Sequence, residues 1–525
     1  MHGCSKCFHP NTYNTLKCQT MGYLYKSCQE RTNFVKNIVS HFVEIWEHEW
    51  DEMYRNNGEI KEFCKNTDVR PALKPRDALF GGRTNASKLY HSCSPDEKIK
   101  YYDVTSLYPF VQKTGRYPLG APTVITDVFD TNLDKYFGLI QCRIIPPRRL
   151  RFPVLPARIN GKLLFALCTA CANAKQQTNC CHSESQRMLE GTWVTEEVKL
   201  AIEHGYKMDK IFSVWHWSET EQYDPETKTG GLFTEYVNTF LKIKQENSGF
   251  PDWCKTEDDK NQYIQDYELQ EGIKLDIDMI QINEGLRSIS KFLLNSMWGR
   301  YCLQTNKSKY KMINTLMELY EYLLNEQYEI QDIHFLNDQK AQIFYTDKEE
   351  LHLGGKDSNV VLGAFVTCYG RMRLYQEMFK IDDRILYYDT DSIIFISKEN
   401  QYEPELADYL GKFTNEIKSK DGNFIQEYVS AGPKNYAYKL DTDKTFCKIK
   451  GFSVNCIASQ SLNFHSMKDL VLNEDPDQRI EVEQNKFIRD KNNWTIRTET
   501  MSKLYRQVYD KRILLDNFET LPFGF

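Results

Sequence analysis

Apolar and polar positions sort into a few clear periods. In KIKYYDVTSLYPFV (98–111) alternating side chains give way at Pro109, the pattern of a strand turning into a helix. RILYYDTDSIIFI (384–396) predicts a hairpin of two buried strands around Asp389, Thr390 and Asp391. Helical periodicity prevails over 231–300, closing on GLRSISKFLLNSMWGRY, and returns over 314–326 and, as a long helix, over 360–379. Residues 328–346 read as extended segments, and VEIWEHEW (43–50) as a strand followed by an acidic stretch. The paired glycines of LFGGR (79–83) imply a turn or a close backbone approach. Residues 460–525 are charged and partly helical, and no internal repeat or low-complexity tract interrupts the chain.

At 525 residues the chain exceeds one compact core, so several lobes of roughly 100–200 residues are expected. A composition 41% hydrophobic and 27% charged suffices to bury such cores and excludes a disordered or fibrous chain. No apolar run approaches the roughly 20 residues needed to span a bilayer, and the N-terminus lacks a signal-peptide h-region. The expectation is an intracellular protein without a membrane partner, the nucleus being one open compartment. The net charge of −6 gives no global attraction to nucleic acid, so binding to it would need local basic patches or metal ions.

Carboxylates stand inside otherwise apolar segments. Asp103 follows Tyr101 and Tyr102, while Leu386, Tyr387, Tyr388, Ile393 and Ile394 flank Asp389 and Asp391. Burying an unpaired carboxylate costs several kcal/mol, so each requires a cation or strong hydrogen bonds. On a strand, Asp389 and Asp391 project to the same side, and close like charges raise each other's proton affinity unless a divalent ion neutralises them. Two readings follow. One is a two-metal site with ions about 4 Å apart, activating a 3′-hydroxyl and stabilising a leaving pyrophosphate. The other is a pair of turn aspartates in a tight hairpin. On the helix over 287–298, Arg287, Lys291, Asn295 and Trp298 fall in one stripe, with Leu286, Ile289, Leu293 and Met297 opposite, suited to packing on the body. That stripe, which also takes in Leu294, suits either a triphosphate and base or a solvated basic face.

These segments resemble the motifs of family B DNA polymerases. DVTSLYP (103–109) resembles motif A, KFLLNSMWG (291–299) motif B with Trp298 in the usual Tyr position, and YYDTDS (387–392) motif C. GPKNYAY (432–438) is similar to the later K-x-Y motif, with KIKGF (448–452) behind it, and the four stand in the family's order. LFGGRTNA (79–86), GTWVTEEV (191–198) and the ending DKRILLDNFETLPFGF (510–525) are similar to the protein-primed branch, especially polymerases of large virus-like eukaryotic DNA transposons.

The resemblance implies an α+β, multidomain right hand with an antiparallel palm sheet, helical fingers and a small thumb. Its expected parts are a Cys/His-rich N-terminal remnant (1–65), palm (66–139), a Cys-rich insert similar to a terminal-protein region (140–230), fingers (231–300), a connecting insert (301–359), palm again (360–459) and thumb (460–525). It implies template-directed addition of deoxynucleotides to a 3′-hydroxyl, with a DNA template-primer, deoxynucleoside triphosphates and a terminal protein primer as partners and two Mg²⁺ ions as cofactors. Asp103 and Asp391 would bind the ions with the Val104 carbonyl, Asp389 supporting. Ser106 and Leu107 would offer amides to the triphosphate, and Tyr108 would stack under the sugar and exclude a 2′-hydroxyl. Lys291 and Arg287 would bind phosphates, Asn295 would line the nascent pair, and Trp298 would keep a stacking surface without the Tyr hydroxyl. Lys434 and Tyr436 would hold the primer terminus. Gly81, Gly82 and Arg83 would contact DNA, Leu79 taking the Tyr position of the branch's Y-x-G-G motif.

No D-x-E motif with further exonuclease carboxylates precedes Asp103, so proofreading is expected to be absent. HGCSKCF through VEIWEHEW is similar to the C-terminal half of a very-short-patch-repair-type endonuclease without its catalytic half, which suggests a truncated N-terminus. The alternative is a catalytically inactive nucleic-acid-binding remnant.

Two clusters stand out among the sixteen cysteines. One is Cys4, Cys7, Cys18 and Cys28, with His2 and His9 nearby. The other is Cys168, Cys171, Cys180, Cys181 and His182, where Cys168, Cys171, Cys180 and His182 have the spacing of a structural zinc site. The competing reading is a set of unliganded thiols. Arg143, Arg148, Arg149 and Arg151 suit DNA phosphates, a terminal protein or a solvated loop.

Overall fold

The computed structural model describes residues 4–14, 19–39, 41–66, 71–348, 355, 358–473, 478–490 and 493–525. His2 and Cys18, named above, lie outside them. The chain divides into two units, one of Met1–Ala72 with Gln304–Lys356, the other of Leu73–Leu303 with Asp357–Phe525.

In the first unit, Lys309–Ile313, Tyr328–Asn337 and Lys340–Asp347 form an antiparallel sheet beside the helix Leu316–Leu323, around buried Ile313, Ala341 and Ile343. The strand expected to open VEIWEHEW (43–50) does not form, and the acidic stretch that follows it is the start of a helix, Glu47–Asn56. Acidic side chains favour a helix N-terminus, and the Trp46 amide donates to the Glu49 carboxylate at 3.1 Å.

The second unit holds the candidate chemistry. Along the chain run β1 (Thr84–Ala86), β2 (Tyr90–Ser92), β3 (Lys98–Val104), α1 (Leu107–Thr114), β4 (Thr123–Ile125), β5 (Gly138–Ile145), β6 (Leu189–Val194), α2 (Thr195–Glu203) and β7 (Lys207–His216). Then come α3 (Thr234–Glu246), α4 (Glu284–Tyr301), α5 (Val360–Ile381), β8 (Ile385–Asp389), β9 (Ser392–Ser397), β10 (Phe413–Asn415), β11 (Ile425–Gly432), β12 (Asn435–Leu440) and β13 (Thr445–Ile449).

The fold is α+β, built on a nine-stranded antiparallel sheet in the order β13-β12-β11-β3-β9-β8-β1, with β10 paired to β3 and β2 to β11. A second antiparallel sheet runs β6-β5-β7-β4. Strand alternation explains how β3 serves two cores. Ile99 and Tyr101 join Tyr387, Ile394 and Tyr428 on one face; Tyr102 and Val104 join Leu107, Trp193 and Phe365 on the other. Central β9 is buried along its whole length, as its unbroken apolar run requires.

Residues past 460 include the expected helical piece, Phe464–Leu472, but their longest elements are the two strands of a hairpin, Ile480–Asp490 and Thr495–Tyr505. The packing face of α4 also departs from expectation. Leu286 and Ile289 are 45% and 57% exposed while Ser290 and Leu294 are buried, although Leu293 is half-buried and Met297 packs against the core as expected. Helix α3 runs against that side, the Tyr236 hydroxyl donating to the Leu293 carbonyl at 3.0 Å.

One buried ion pair joins three elements. The Arg371 guanidinium on α5 donates to both carboxylate oxygens of Glu197 on α2, at 2.8 and 2.7 Å, and to the carbonyls of Phe80 and Gly81 at 2.8 and 3.2 Å. Removing one partner strands a buried charge, so Arg371→Met should destabilise the protein by about 3–5 kcal/mol. Thermal or urea unfolding measures this, and an unchanged midpoint would show that the pair does not hold these elements together.

Candidate active site

The ladder brings the three aspartates together. Asp103, one residue before the end of β3, stands opposite Ser392, and Asp389 ends β8 opposite that same Ser392 across the hairpin. The Val104 amide donates to the Asp391 carbonyl at 2.7 Å, closing β3 onto the turn. Asp391 is not on a strand beside Asp389, as the alternation implied; it lies in the turn. The turn is tight, with Thr390 left-handed at φ 56° and the Asp391 amide donating back to the Asp389 carbonyl. A β-branched residue in that region costs about 1–3 kcal/mol and persists only where neighbours impose it. Here the Thr390 amide donates to the Arg83 carbonyl at 2.7 Å, and a Cβ on Gly82 would meet the Thr390 Oγ1 at 2.6 Å. Glycine at 82 is thus what lets the loop touch the turn.

The carboxylates line a cleft of about 620 Å³ shared with Glu416, Lys434 and Lys448. Burial pushes the Asp103 carboxyl up to about 8, helped by Asp391 and Glu416 and opposed by Lys448 and Lys291. Burial, then Asp389, raises Asp391 to about 6. Asp389 has its own cation, the Lys434 ammonium donating to its two oxygens at 2.7 and 2.9 Å. Lys434 occupies a left-handed turn position, and its amide donates to the Tyr387 hydroxyl at 2.8 Å. The Tyr436 and Tyr101 hydroxyls share a hydrogen bond of 2.9 Å on the cleft wall. The donor set at Asp103 and Asp391, hard oxygen crowded by like charge, fits a divalent cation such as Mg²⁺.

Ser106 is left-handed at φ 52° and opens α1, so the chain leaves β3 through a sharp corner; Leu107 next to it is buried. Tyr108 stacks on Trp298 of α4, ring centres 4.5 Å apart, and burial pushes its hydroxyl up to about 12. Lys291 and Asn295 are exposed, and the Arg287 guanidinium donates to Ser248 Oγ at 3.1 Å.

One expected contact is corrected. Arg83 is 1% exposed and donates to the Pro153 and Val154 carbonyls at 2.7 and 2.9 Å, with its plane 3.8 Å from the Phe165 ring centre. It is an internal crosslink, unlike exposed Gly81 and half-buried Gly82, and its side chain does not reach solvent. In the basic run, Arg143 donates to Asp209 at 2.6 Å and Arg151 lies 3.9 Å from Asp382.

Sequence reading missed Glu416 in the cleft and Lys244 on α3, and quoted Lys448 and Lys450 of KIKGF without giving them a role. Burial lowers the Lys244 ammonium, and Arg287 and Lys291 lower it further, so three cations crowd this end of α3 and α4. Glu416 stands one residue past β10, a position that only pairing with β3 brings to Asp103. Of the two Cys/His clusters, Cys168, Cys171, Cys180 and His182 converge and could hold a metal ion. Near the N-terminus, Cys4 and Cys7 meet His48 rather than Cys28 or His9. Nothing local to His48, in the acidic stretch of VEIWEHEW, signalled that it would meet the two cysteines.

Residues 72–253 match the family model described as DNA polymerase type B, organellar and viral. The chain is 24% identical over 409 residues to a "Probable DNA polymerase" of Neurospora intermedia, covering 74% of this chain and 33% of that one. A "Probable DNA polymerase" of Podospora anserina is 25% identical over 431 residues, 76% and 29% being covered. The chain thus spans about a third of the length of these curated relatives. Among solved structures, a Phi29 DNA polymerase complexed with primer-template DNA and incoming nucleotide substrates is similar at 14% identity and a TM-score of 0.47, covering 93% of this chain and 71% of that one. The family B resemblance carried by the motifs is borne out.

Because the aspartates' proton affinities are raised on folding, the cation-free protein retains protons there that the unfolded chain releases near pH 4. Their contribution to stability is complete below that pH and is lost as pH rises toward about 8. In chelator, the thermal midpoint should fall over this range, and Asp103→Asn should flatten the fall. An identical slope in the variant would contradict the burial assigned to Asp103.

Proposed function

We propose that this chain is a template-directed DNA polymerase that adds deoxynucleotides to a 3′-hydroxyl, of the protein-primed kind. The observation that carries this reading is the meeting of Asp103 and Asp391 at the rim of one cleft, each with raised proton affinity, beside the cations of α3 and α4. The ordered motifs and the type B family match support it. The LFGGRTNA loop and the protein-primed branch's other sequence likenesses support the mode of priming.

In this reading Asp103, Asp391 and the Val104 carbonyl hold two Mg²⁺ ions. Such ions would polarise the 3′-hydroxyl and neutralise charge on the departing pyrophosphate. Asp389, already paired with Lys434, stays out of the ligand set and keeps Lys434 beside the primer end. Lys291 and Arg287 grip the triphosphate from α4, with Lys244 reinforcing the field. Ser106 and Leu107 add backbone donors at the sharp entry to α1. Tyr108, packed on Trp298 and against α5, presents a rigid ring edge that leaves no room for a 2′-hydroxyl. Asn295 lines the nascent pair, and Tyr436 steadies the primer strand.

Primer extension with Mg²⁺ tests this. Asp391→Asn should cut incorporation by about 10³-fold or more, the equivalent of several kcal/mol of lost charge stabilisation. Equal incorporation by both proteins would sink the assignment, and DNA binding without incorporation under Mg²⁺ or Mn²⁺ would leave a nucleic-acid-binding protein. A second measurement concerns the sugar: Tyr108→Ala should admit ribonucleotides, and unchanged discrimination would remove Tyr108 from that role.

A further inference from the structure

We infer that Cys168, Cys171, Cys180 and His182 form a structural zinc site that fastens the C-terminal tail, residues 509–525, and through it braces β1 beside the aspartate hairpin. The four donor atoms lie within 4.8 Å of one another. His182 Nδ1 stands 3.5, 3.2 and 3.7 Å from the sulfurs of Cys168, Cys171 and Cys180. Zn–S bonds of about 2.3 Å and Zn–N bonds of about 2.1 Å at tetrahedral angles require S···N separations near 3.6 Å. Hydrogen bonding does not account for the cluster, because one ring nitrogen takes part in one strong bond, not three. Nor does oxidation, since all three thiols are free. Cys₃His is a soft donor set that selects zinc over the hard cations suited to the aspartates.

The tail is built onto this cluster. Cys168 and Cys171 share a small apolar core with Ile159, Leu164, Ile513 and Phe523. The Leu167 amide donates to the Phe523 carbonyl at 2.8 Å. Gly524, at φ 92°, lies so close that a Cβ there would stand 2.4 Å from Cys168 Cβ. Lys162 pairs with Asp510, and the Leu514 amide donates to Gln177 at 3.0 Å. A core this small needs a staple to order its segment.

From that anchor the tail reaches β1. The Tyr509 hydroxyl and the Thr520 hydroxyl donate to the Ala86 carbonyl at 2.8 and 2.7 Å, and the Thr520 amide to the Ser87 carbonyl at 2.8 Å. β1 in turn pairs with β8, Thr84 standing opposite Asp389. A metal ion in the insert therefore sits at one end of a continuous line of contacts ending at the hairpin. This inference does not depend on polymerase activity.

The test uses the full chain. Metal analysis of purified protein should find zinc, and the double variant Cys180→Ser/His182→Ala should lose one equivalent, whereas Cys4→Ser/Cys7→Ser should retain it. Cobalt exchanged into the wild type should give the visible absorption of tetrahedral thiolate ligation. Chelation should speed hydrogen exchange of amides in 509–525 and 84–89 by about tenfold or more, reversed by adding zinc back. Wild-type chelation reports on the tail even if the double variant does not fold. Zinc retained by the 180/182 variant, or tail exchange indifferent to chelation, would overturn the inference.

Discussion

Repulsion among Asp103, Asp389 and Asp391 is the constraint that the rest of the second unit serves. Three like charges do not gather unless neighbouring structure holds them, and here the holding is covalent sequence plus ladder hydrogen bonds. Central β9 lies between β3 and β8, so one fully buried strand sets the spacing of both acidic ends. Lys434 relieves one charge, and burial leaves the other two protonatable until a cation replaces the proton. The same low-polarity surroundings that raise proton affinity strengthen attraction to a divalent ion.

Around that centre, arginine acts as an internal connector. Arg83, Arg187, Arg371 and Arg512 are all buried, and each donates to backbone carbonyls of a distant segment. A planar fork of donors can satisfy several orphan carbonyls at once, which suits irregular segments lacking ladder partners. Arg371 does this for residues 80–81 while Glu197 carries the counter-charge. Arg512 does it for Arg151 and Thr520.

The division between what was legible in the sequence and what was not follows from range. The strand and helix meeting at Asp103, the hairpin at Asp389, the helix over 360–381 and the extended run over 328–346 all came from local periodicity. Arg83 did not, because nothing local distinguishes an inward arginine from a phosphate-binding one; the partners that hold it lie about seventy residues away. The outward face of α4 was misread because periodicity shows an apolar stripe without showing which neighbour arrives, and α3 takes the Ser290–Leu294 side. Glu416, Lys244 and His48 join their sites only through tertiary pairing, which no window of sequence contains.

The close approach of Gly82 to Thr390 has a bearing on how such a sequence can drift. Two positions three hundred residues apart share one small volume, so neither can enlarge while the other stands. A side chain at 82 therefore requires a smaller residue at 390, and the strand-turn bearing Asp391 inherits its shape from a loop encoded far upstream.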